Sequence, residues 1–191
     1  APFLRGPDVS GRGEIFKACG RVVKNVTGFD LSNLMVGSFG TLVALTSITV
    51  KVLPAAETEE TLVLAGLGDA RAVQAMSLAM QSPCEVSGAA HLPGEKTLLR
   101  LEGVGPSVAY RRDKLAMLLR DFGSSDVLAE KQSRKVWLEI RDIHPLGVNR
   151  DRCVWQLSVI PSKSPETIAK LPSPLDVRSF LDWAGRPIWL G

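Results

Sequence analysis

Cysteine is scarce here and badly placed for metal work. The 191 residues hold three, Cys19, Cys84 and Cys153, odd in number and far apart. No CxxC pair occurs, so neither a zinc site nor an iron–sulfur cluster has ligands in this chain, and no metal is expected. Reduced, mostly buried thiols of a cytosolic protein are the expected state. Histidine is scarcer still. His91 and His144 beside three scattered cysteines give no specific signal for a nucleophilic triad. Surplus charge is also short: the net is +3, with no basic run of five or more, which argues against a nucleic-acid partner. No apolar run approaches the ~18 residues of a membrane span. The opening residues, Ala-Pro-Phe-Leu-Arg-Gly-Pro, lack a signal-peptide pattern. Neither G-x-G-x-x-G nor G-x-x-x-x-G-K-[ST] is present, and Gly103-Val104-Gly105 lacks the third glycine, so Rossmann and P-loop readings fail.

What the chain does have is concentrated in residues 21–54, RVVKNVTGFDLSNLMVGSFGTLVALTSITVKVLP. This stretch joins a basic-amide-glycine loop at 24–30, a short apolar helix at 31–36, and Gly37-Ser38-Phe39-Gly40-Thr41 leading into a β-rich segment at 42–53. Gly28, Gly37 and Gly40 permit φ > 0 and let another group approach the backbone closely. The glycines before the strand are expected to free the amides of residues 38–42 for a ligand. The strand at 41–52 is rich in β-branched residues. In it Ile48, Val50 and Val52 alternate with Ser47, Thr49 and Lys51, which predicts one buried and one wet face. Read by composition, the glycines mark either two tight turns around a strand or a ligand cradle. Residues 1–53 carry six Lys/Arg against three Asp/Glu, whereas 54–191 carry seventeen of each. The whole basic surplus thus sits with the glycines, where it suits an anion such as pyrophosphate.

The order K-N-x-x-G-[FY]-D-L-x-x-L-M-x-G-S-x-G-T-L resembles the second half of the flavin-binding domain in the vanillyl-alcohol-oxidase-type FAD-linked oxidases. Within them it is most similar to the FAD-binding E subunits of bacterial glycolate oxidases. The likeness is dense from Gly11 to Pro54 and thins through Trp137, Trp155 and Trp183. The wider family has Glu where this chain has Phe39, and Gly where it has Val43; the E subunits tend to lose that Glu. The resemblance implies FAD as cofactor. It places Lys24, Asn25, Gly28, Gly37, Ser38, Gly40, Thr41, Leu42, Val43 and Leu45 on the flavin cradle. Lys24 and Asn25 donate to flavin or phosphate on this reading, and belong to a solvated loop on the plainer one. Asp30 is better read as a cap of the 31–36 helix.

Pro54 ends the strand, and the acidic connector 55–60 marks the domain boundary. With that boundary, the resemblance implies that residues 1–54 are the C-terminal portion of a PCMH-type FAD-binding domain and 55–191 a cap domain truncated at its C-terminus. Periodicity in the latter predicts a strand at 61–67, a helix at 70–80 capped by Asp69, with Val73, Met76 and Met80 inward, and strands at 84–92 and 96–102. A helix at 107–122, with Val108, Leu115, Leu118 and Phe122 inward, and a strand at 126–130 complete the set. Strand-helix-strand-strand-helix-strand is the split βαβ signature of a ferredoxin-like antiparallel α+β layer. A third helix at 133–143 buries Val136, Trp137, Ile140 and Ile143. Strands at 152–160, 177–183 and 187–190 follow, with a short helix at 165–171 between the first two. Trp137, Trp155 and Trp183 read as core residues. His91, the one weak catalytic candidate, faces a substrate pocket if the resemblance holds, or the surface beside the Pro93-Gly94 turn if it does not.

The resemblance implies oxidation of a small 2-hydroxy acid, such as glycolate, to the 2-oxo acid. Electrons would pass through the flavin to an iron–sulfur partner, beside a sister flavin subunit, in the cytoplasm or at the inner face of the membrane through that complex. Read this way the chain is a fragment. It has no pyrophosphate-binding glycine loop of its own beyond the second half of the site, so by itself it is expected to be inactive and to carry no FAD. Two alternatives remain open: a ferredoxin-like binding or interaction module without flavin, and a D-lactate dehydrogenase-type flavoenzyme.

Overall fold

The computed structural model describes residues 3–5, 7–17, 31–35, 37–50, 52, 54–147, 153–171 and 177–191. The loop at 24–30, with Lys24, Asn25, Gly28 and Asp30, lies outside them, as does Cys19. The fold is mixed α+β with antiparallel sheets, and the chain divides into two compact units, Ala1–Ala55 and Ala56–Gly191.

The first unit holds β1 (Phe3–Arg5), β2 (Pro7–Ser10), β3 (Ile15–Lys17), the five-residue α1 (Leu31–Met35), β4 (Val43–Leu45) and β5 (Thr49–Val50). The β2–β3 hairpin turns at Gly11-Arg12-Gly13, where the Ser10 hydroxyl accepts the amides of Arg12 and Glu14. Gly13 takes φ +80°, a conformation that costs glycine nothing. One expectation fails here. The predicted strand at 41–52 is two strands, not one: β4 pairs with β2, and β5 pairs with β1 in a separate two-stranded sheet. The chain changes sheets between residues 45 and 49, so the alternating apolar side chains never face one core. A two-stranded ribbon has no second layer of its own, and Ile48, Val50 and Val52 are exposed rather than buried.

The second unit begins with β6 (Thr58–Ala65), α2 (Asp69–Gln81), β7 (Gly88–Leu92), β8 (Lys96–Gly103), α3 (Gly105–Leu118) and β9 (Ser125–Leu128). The strands lie in the order β7-β8-β6-β9, all antiparallel. This is the predicted split βαβ layer. Glu95 N donates to Leu92 O across the β7–β8 turn, with Gly94 at φ +75°. α4 (Glu130–Arg141), β10 (Trp155–Ser158), α5 (Ser164–Ala169), β11 (Ser179–Asp182) and β12 (Pro187–Leu190) follow. The last strands do not stand apart. β11 pairs with β7, β12 with β11 and β10 with β12, giving one seven-stranded sheet, β10-β12-β11-β7-β8-β6-β9.

Two cores sandwich this sheet. On one face Leu62, Leu64, Ala89, Leu99 and Leu101 pack under α2 and α3 through Val73, Met76, Ala79, Val108, Leu115 and Leu119. On the other, Ala90, Leu98 and Phe180 pack under α4 through Val136, Trp137 and Ile140. Alternation along β8 decides the faces: Leu98 points to α4, Leu99 to α2 and α3. Two helix faces are shifted from expectation. Ala79, not Met80, completes the buried stripe of α2, and Leu119, four residues after Leu115, lies inside where Leu118 was expected. Trp155 and Trp183 are not core residues; they are 64% and 52% exposed. Trp155 sits on β10, an edge strand of the sheet. Cys84 is buried, but Cys153 is exposed.

Leu115 is fully buried beneath α3. Leu115→Ala is expected to lower stability by about 2–5 kcal/mol, read from the shift in denaturation midpoint at unchanged slope. A loss under about 0.5 kcal/mol, the range of a neutral surface change, would show that α3 does not seat on this face.

Candidate functional site

The two units each present a site, built from different chemistry. In the first, Gly37, Ser38, Phe39, Gly40 and Thr41 form a tight double turn between α1 and β4. Ser38 N donates to Met35 O at 3.1 Å and Thr41 N to Ser38 O at 3.0 Å, while Thr41 Oγ1 donates to the same carbonyl at 2.7 Å. The expectation that all amides of residues 38–42 face a ligand is thereby corrected: those of Ser38 and Thr41 close the turns. Gly37 and Gly40 adopt φ +83° and +76°, and Phe39 between them takes φ +51°. A Cβ at either glycine would meet open space among the described residues. Packing therefore does not require these glycines; the left-handed backbone does. Phe39 is 97% exposed, and Leu42 and Leu45 are exposed too, with Val43 half-buried on β4. The turn thus presents bare backbone and apolar side chains outward.

In the second unit, a chain of hydrogen bonds joins α4 to β6. Trp137 Nε1 donates to Thr61 Oγ1 at 2.8 Å, and Ser133 Oγ donates to Glu59 Oε1 at 2.7 Å. The Ser133 proton is thus spent on the carboxylate. The 2.7 Å contact between Thr61 Oγ1 and Ser133 Oγ must then carry the threonine's proton toward serine. Glu59, Thr61 and Ser133 are all buried. Trp137 lies flat on the sheet because β7 offers Gly88 there; a Cβ at Gly88 would stand 3.0 Å from the indole.

Beside Trp137 opens a cavity of about 440 Å³, lined from β6, β7, β8, α4 and the end of β11. Arg100 lies over the Trp137 ring at 5.0 Å. It donates from Nε to Ser87 Oγ at 3.1 Å and from Nη2 to Ser87 O at 3.1 Å, and pairs with Glu102 through Nη2 at 3.3 Å. Arg134 and Arg141 stand on α4 on either side of Trp137, paired with Glu130 and Asp142. Asp182 closes the far side. Burial pushes its carboxyl above the usual carboxylate range, against the Trp183 amide and the Arg100 charge, which pull it down. Asp182 Oδ1 accepts the Trp183 amide at 2.8 Å. Trp183 and Ala184 follow at φ +45° and +58°, a left-handed pair that is uncommon for non-glycine residues and costs on the order of 1–3 kcal/mol each. Gly185 must follow, since a Cβ there would lie 2.6 Å from Ser164 Oγ. A wider hollow of about 610 Å³ lies along the outer side of α3 near Tyr110 and Met117. It lacks converging groups from the sheet.

None of the cavity's charged groups was singled out in the sequence. A signal exists: Arg134, Trp137, Leu138 and Arg141 fall at i, i+3, i+4 and i+7, one stripe of a helix. His91 is placed elsewhere. It points to the α2 face and is fully buried, which overturns the surface reading beside the Pro93-Gly94 turn. Asp69 is the first residue of α2 rather than its cap, and its carboxylate accepts from His91 Nε2 at 3.2 Å. His91 Nδ1 then accepts the Thr97 hydroxyl at 2.9 Å. Both ring nitrogens are thus occupied by protein. The motif that drew attention to His91, a strand end before a Pro-Gly turn, carries no information on which face the residue takes.

Two outcomes follow from these bonds. Ser133→Ala strands the Thr61 hydroxyl and removes the donor to Glu59. It is expected to cost about 1–3 kcal/mol by chemical denaturation; a neutral result would mean water replaces the hydroxyl. Burial lowers the His91 pKa from 6.5, with the Asp69 hydrogen bond and charge opposing it. A folded pKa below the unfolded one makes stability full above pH 6.5 and progressively lost as pH falls from there through the folded value. His91→Gln should flatten the loss of stability between about pH 7 and pH 5, measured as melting temperature against pH. An unchanged slope would place the titration elsewhere.

No protein-family model matches the chain. Two curated proteins do. Glycolate oxidase subunit GlcE of Escherichia coli (strain K12) is 29% identical over 182 residues, covering 95% of this chain and 46% of that protein. Glycolate oxidase subunit GlcD of Bacillus subtilis (strain 168) is 44% identical over 54 residues, 28% of this chain and 12% of that protein. The chain therefore spans less than half the length of either. The chain is thus similar to GlcE along nearly all of its own length and to GlcD over a 54-residue stretch.

Proposed function

We propose that this chain is part of the FAD-binding subunit of a glycolate oxidase-like flavoenzyme. Residues 1–54 then form the C-terminal portion of a PCMH-type FAD-binding domain, and residues 55–191 a ferredoxin-like cap on the substrate side. The observation that carries the reading is the turn at 37–41. Its glycines are left-handed and have open space where a side chain would project, as a backbone approached closely by a large ligand requires. With the Ser38 and Thr41 amides engaged, backbone donation from this turn falls to Phe39, Gly40 and Leu42. Lys24, Asn25 and Gly28 join the same cradle by resemblance, together with Val43 and Leu45 on β4. FAD bound there supplies a hydride acceptor for turning an alcohol carbon into a carbonyl.

The substrate on this reading is a small 2-hydroxy acid, oxidised to the 2-oxo acid. An iron–sulfur subunit is the partner that receives the electrons on this reading, beside a sister flavin subunit. Among the described residues no helix is long and apolar enough to cross a membrane. We place the protein in the cytoplasm, with any membrane association made through the complex. Similarity to both GlcE and GlcD favours this reading over a flavin-free interaction module or a D-lactate dehydrogenase-type enzyme.

Gly40 offers the cleanest test in the full-length protein. Asparagine tolerates the left-handed backbone yet fills the open space above it. Gly40→Asn is expected to lower flavin bound per polypeptide severalfold, with the melting temperature of the apoprotein held within about 2 °C. Full flavin occupancy in the variant would make Gly40 a turn residue only. A full-length wild-type protein that purifies colourless would sink the reading itself.

A further inference from the structure

The two ends of the seven-stranded sheet are finished differently. At one end, β9 carries Asp126 exposed on the strand, a charge of the kind that keeps an edge strand from pairing with another chain. At the other end, β10 has no such device. It pairs with β12 in one unbroken register, from Trp155 opposite Leu190 to Ser158 opposite Pro187, without a bulge. Residues 153–162, CVWQLSVIPS, hold no charged side chain, and no proline falls within the strand. Among the described residues no strand pairs with its outer side.

Parity shows which backbone groups are left over. Val159 N donates to Arg186 O at 3.0 Å. Bonding positions alternate along an antiparallel ladder, so Trp155 and Leu157 bond toward β12 as well. The N–H and C=O groups of Gln156 and Ser158 then point away from it. Pro187, which has no N–H to give, stands opposite Ser158, at one of these non-bonding positions. Side chains alternate too. Trp155, Leu157 and Val159 share the α2/α3 face, where Leu157 and Val159 pack partly buried against the core and Trp155 stays largely exposed. Gln156 and Ser158 are exposed on the opposite face. The strand thus carries both halves of a cross-strand pair, an aromatic at its start and aliphatic side chains further on.

An antiparallel copy of the same strand brings those halves together twice. With a two-fold axis at Gln156, Trp155 of each copy lies opposite Leu157 of the other, Gln156 lies opposite Gln156, and Ser158 opposite Val154. The outward N–H and C=O groups then meet one another, and no like charges are brought together. We propose that β10 is the contact strand of a symmetric dimer, in which two copies of this chain pair β10 antiparallel and continue the sheet from one copy into the other. The contact lies in the second unit and does not depend on the flavin reading. It is much smaller than a standard interface of about 1,600 Å², so the dimer is weak and reversible.

Sedimentation of the purified full-length protein is expected to show a monomer–dimer equilibrium between about 1 and 200 μM. Gln156 is exposed and its N–H takes no part in the β12 ladder, so Gln156→Lys and Gln156→Glu should fold with near-normal melting temperature. Each sets like charges opposite one another and is expected to weaken the dimer at least about fivefold. Mixing the two variants is expected to restore dimers, seen by native mass spectrometry as the mixed species. Trp155→Ala removes the aromatic from both sides and should weaken the dimer about tenfold or more. A protein that stays monomeric throughout that range would overturn the proposal, as would a dimer indifferent to both Gln156 variants. Dimers lost in both single variants and not recovered in the mixture would show that Gln156 does not meet Gln156, and would overturn it too. Should the Gln156 variants fail to fold, Trp155→Ala decides alone, unaltered dimerisation counting against the contact.

Discussion

The second unit hangs on a single run of hydrogen bonds, from the Trp137 indole through Thr61 and Ser133 to the Glu59 carboxylate. Every member is buried, and every proton in the run has one direction. Dispersion packs α4 against the sheet anywhere along its apolar stripe; the run permits one register only, because a helix shifted by a residue would leave a carboxylate and two hydroxyls without partners. Such orphans are costly enough to select one arrangement among many greasy ones. The tryptophan held by this run then serves as the floor on which Arg100 lies. Helix placement and cavity floor are thus one event.

The two faces of the sheet divide the labour. The α2/α3 face is aliphatic at its centre, with polar bridges around it: Asp69–His91–Thr97 ties the start of α2 to β7 and β8, and Arg112–Glu60 ties α3 to β6. The α4 face carries charge: Glu59, Arg100 and Asp182 all project to that side. Burying charge is tolerable only where partners are fixed, and here each has one. The first unit works with the opposite material. Short strands, a one-turn helix and left-handed glycines present backbone and exposed apolar side chains instead of paired charges.

Periodicity made the split βαβ layer legible because each of its elements has a strong stripe and a stop. Gly68 before α2, Pro106 at the start of α3 and Pro93-Gly94 between β7 and β8 punctuate it. The flavin-like stretch was legible through residue order rather than periodicity, and where periodicity was trusted there, at Ile48, Val50 and Val52, it misled. Alternation reports which side chains share a face, not whether another layer covers that face. The same gap explains Trp183: an aromatic at the end of a strand was read as core, and nothing local announces the left-handed turn that swings it out. His91 was hidden for the converse reason. Polar residues before a turn are usually wet, and only pairing with β8 brings Thr97 to its side. The Arg134–Arg141 stripe was readable but looked like a solvated helix face, because β6 and β8, which make it a wall, lie far away in sequence.

The seven-stranded sheet has one thin seam. β7 pairs with β8 over five residue pairs, but with β11 over only two, Leu181 opposite His91 and Asp182 opposite Ala90. The sheet is therefore a continuous four-stranded layer, drawn from residues 58–128, zipped by a short stitch to a three-stranded one drawn from 155–190. Trp137, Gly88 and Arg100 belong to the first piece; Asp182 and Trp183 belong to the second. The cavity straddles the stitch. During synthesis its floor can be complete while its rim is still being made, and opening of the sheet at its thinnest ladder would part the rim from the floor and loosen both cores with it, since Phe180 lies in one and Leu181 in the other.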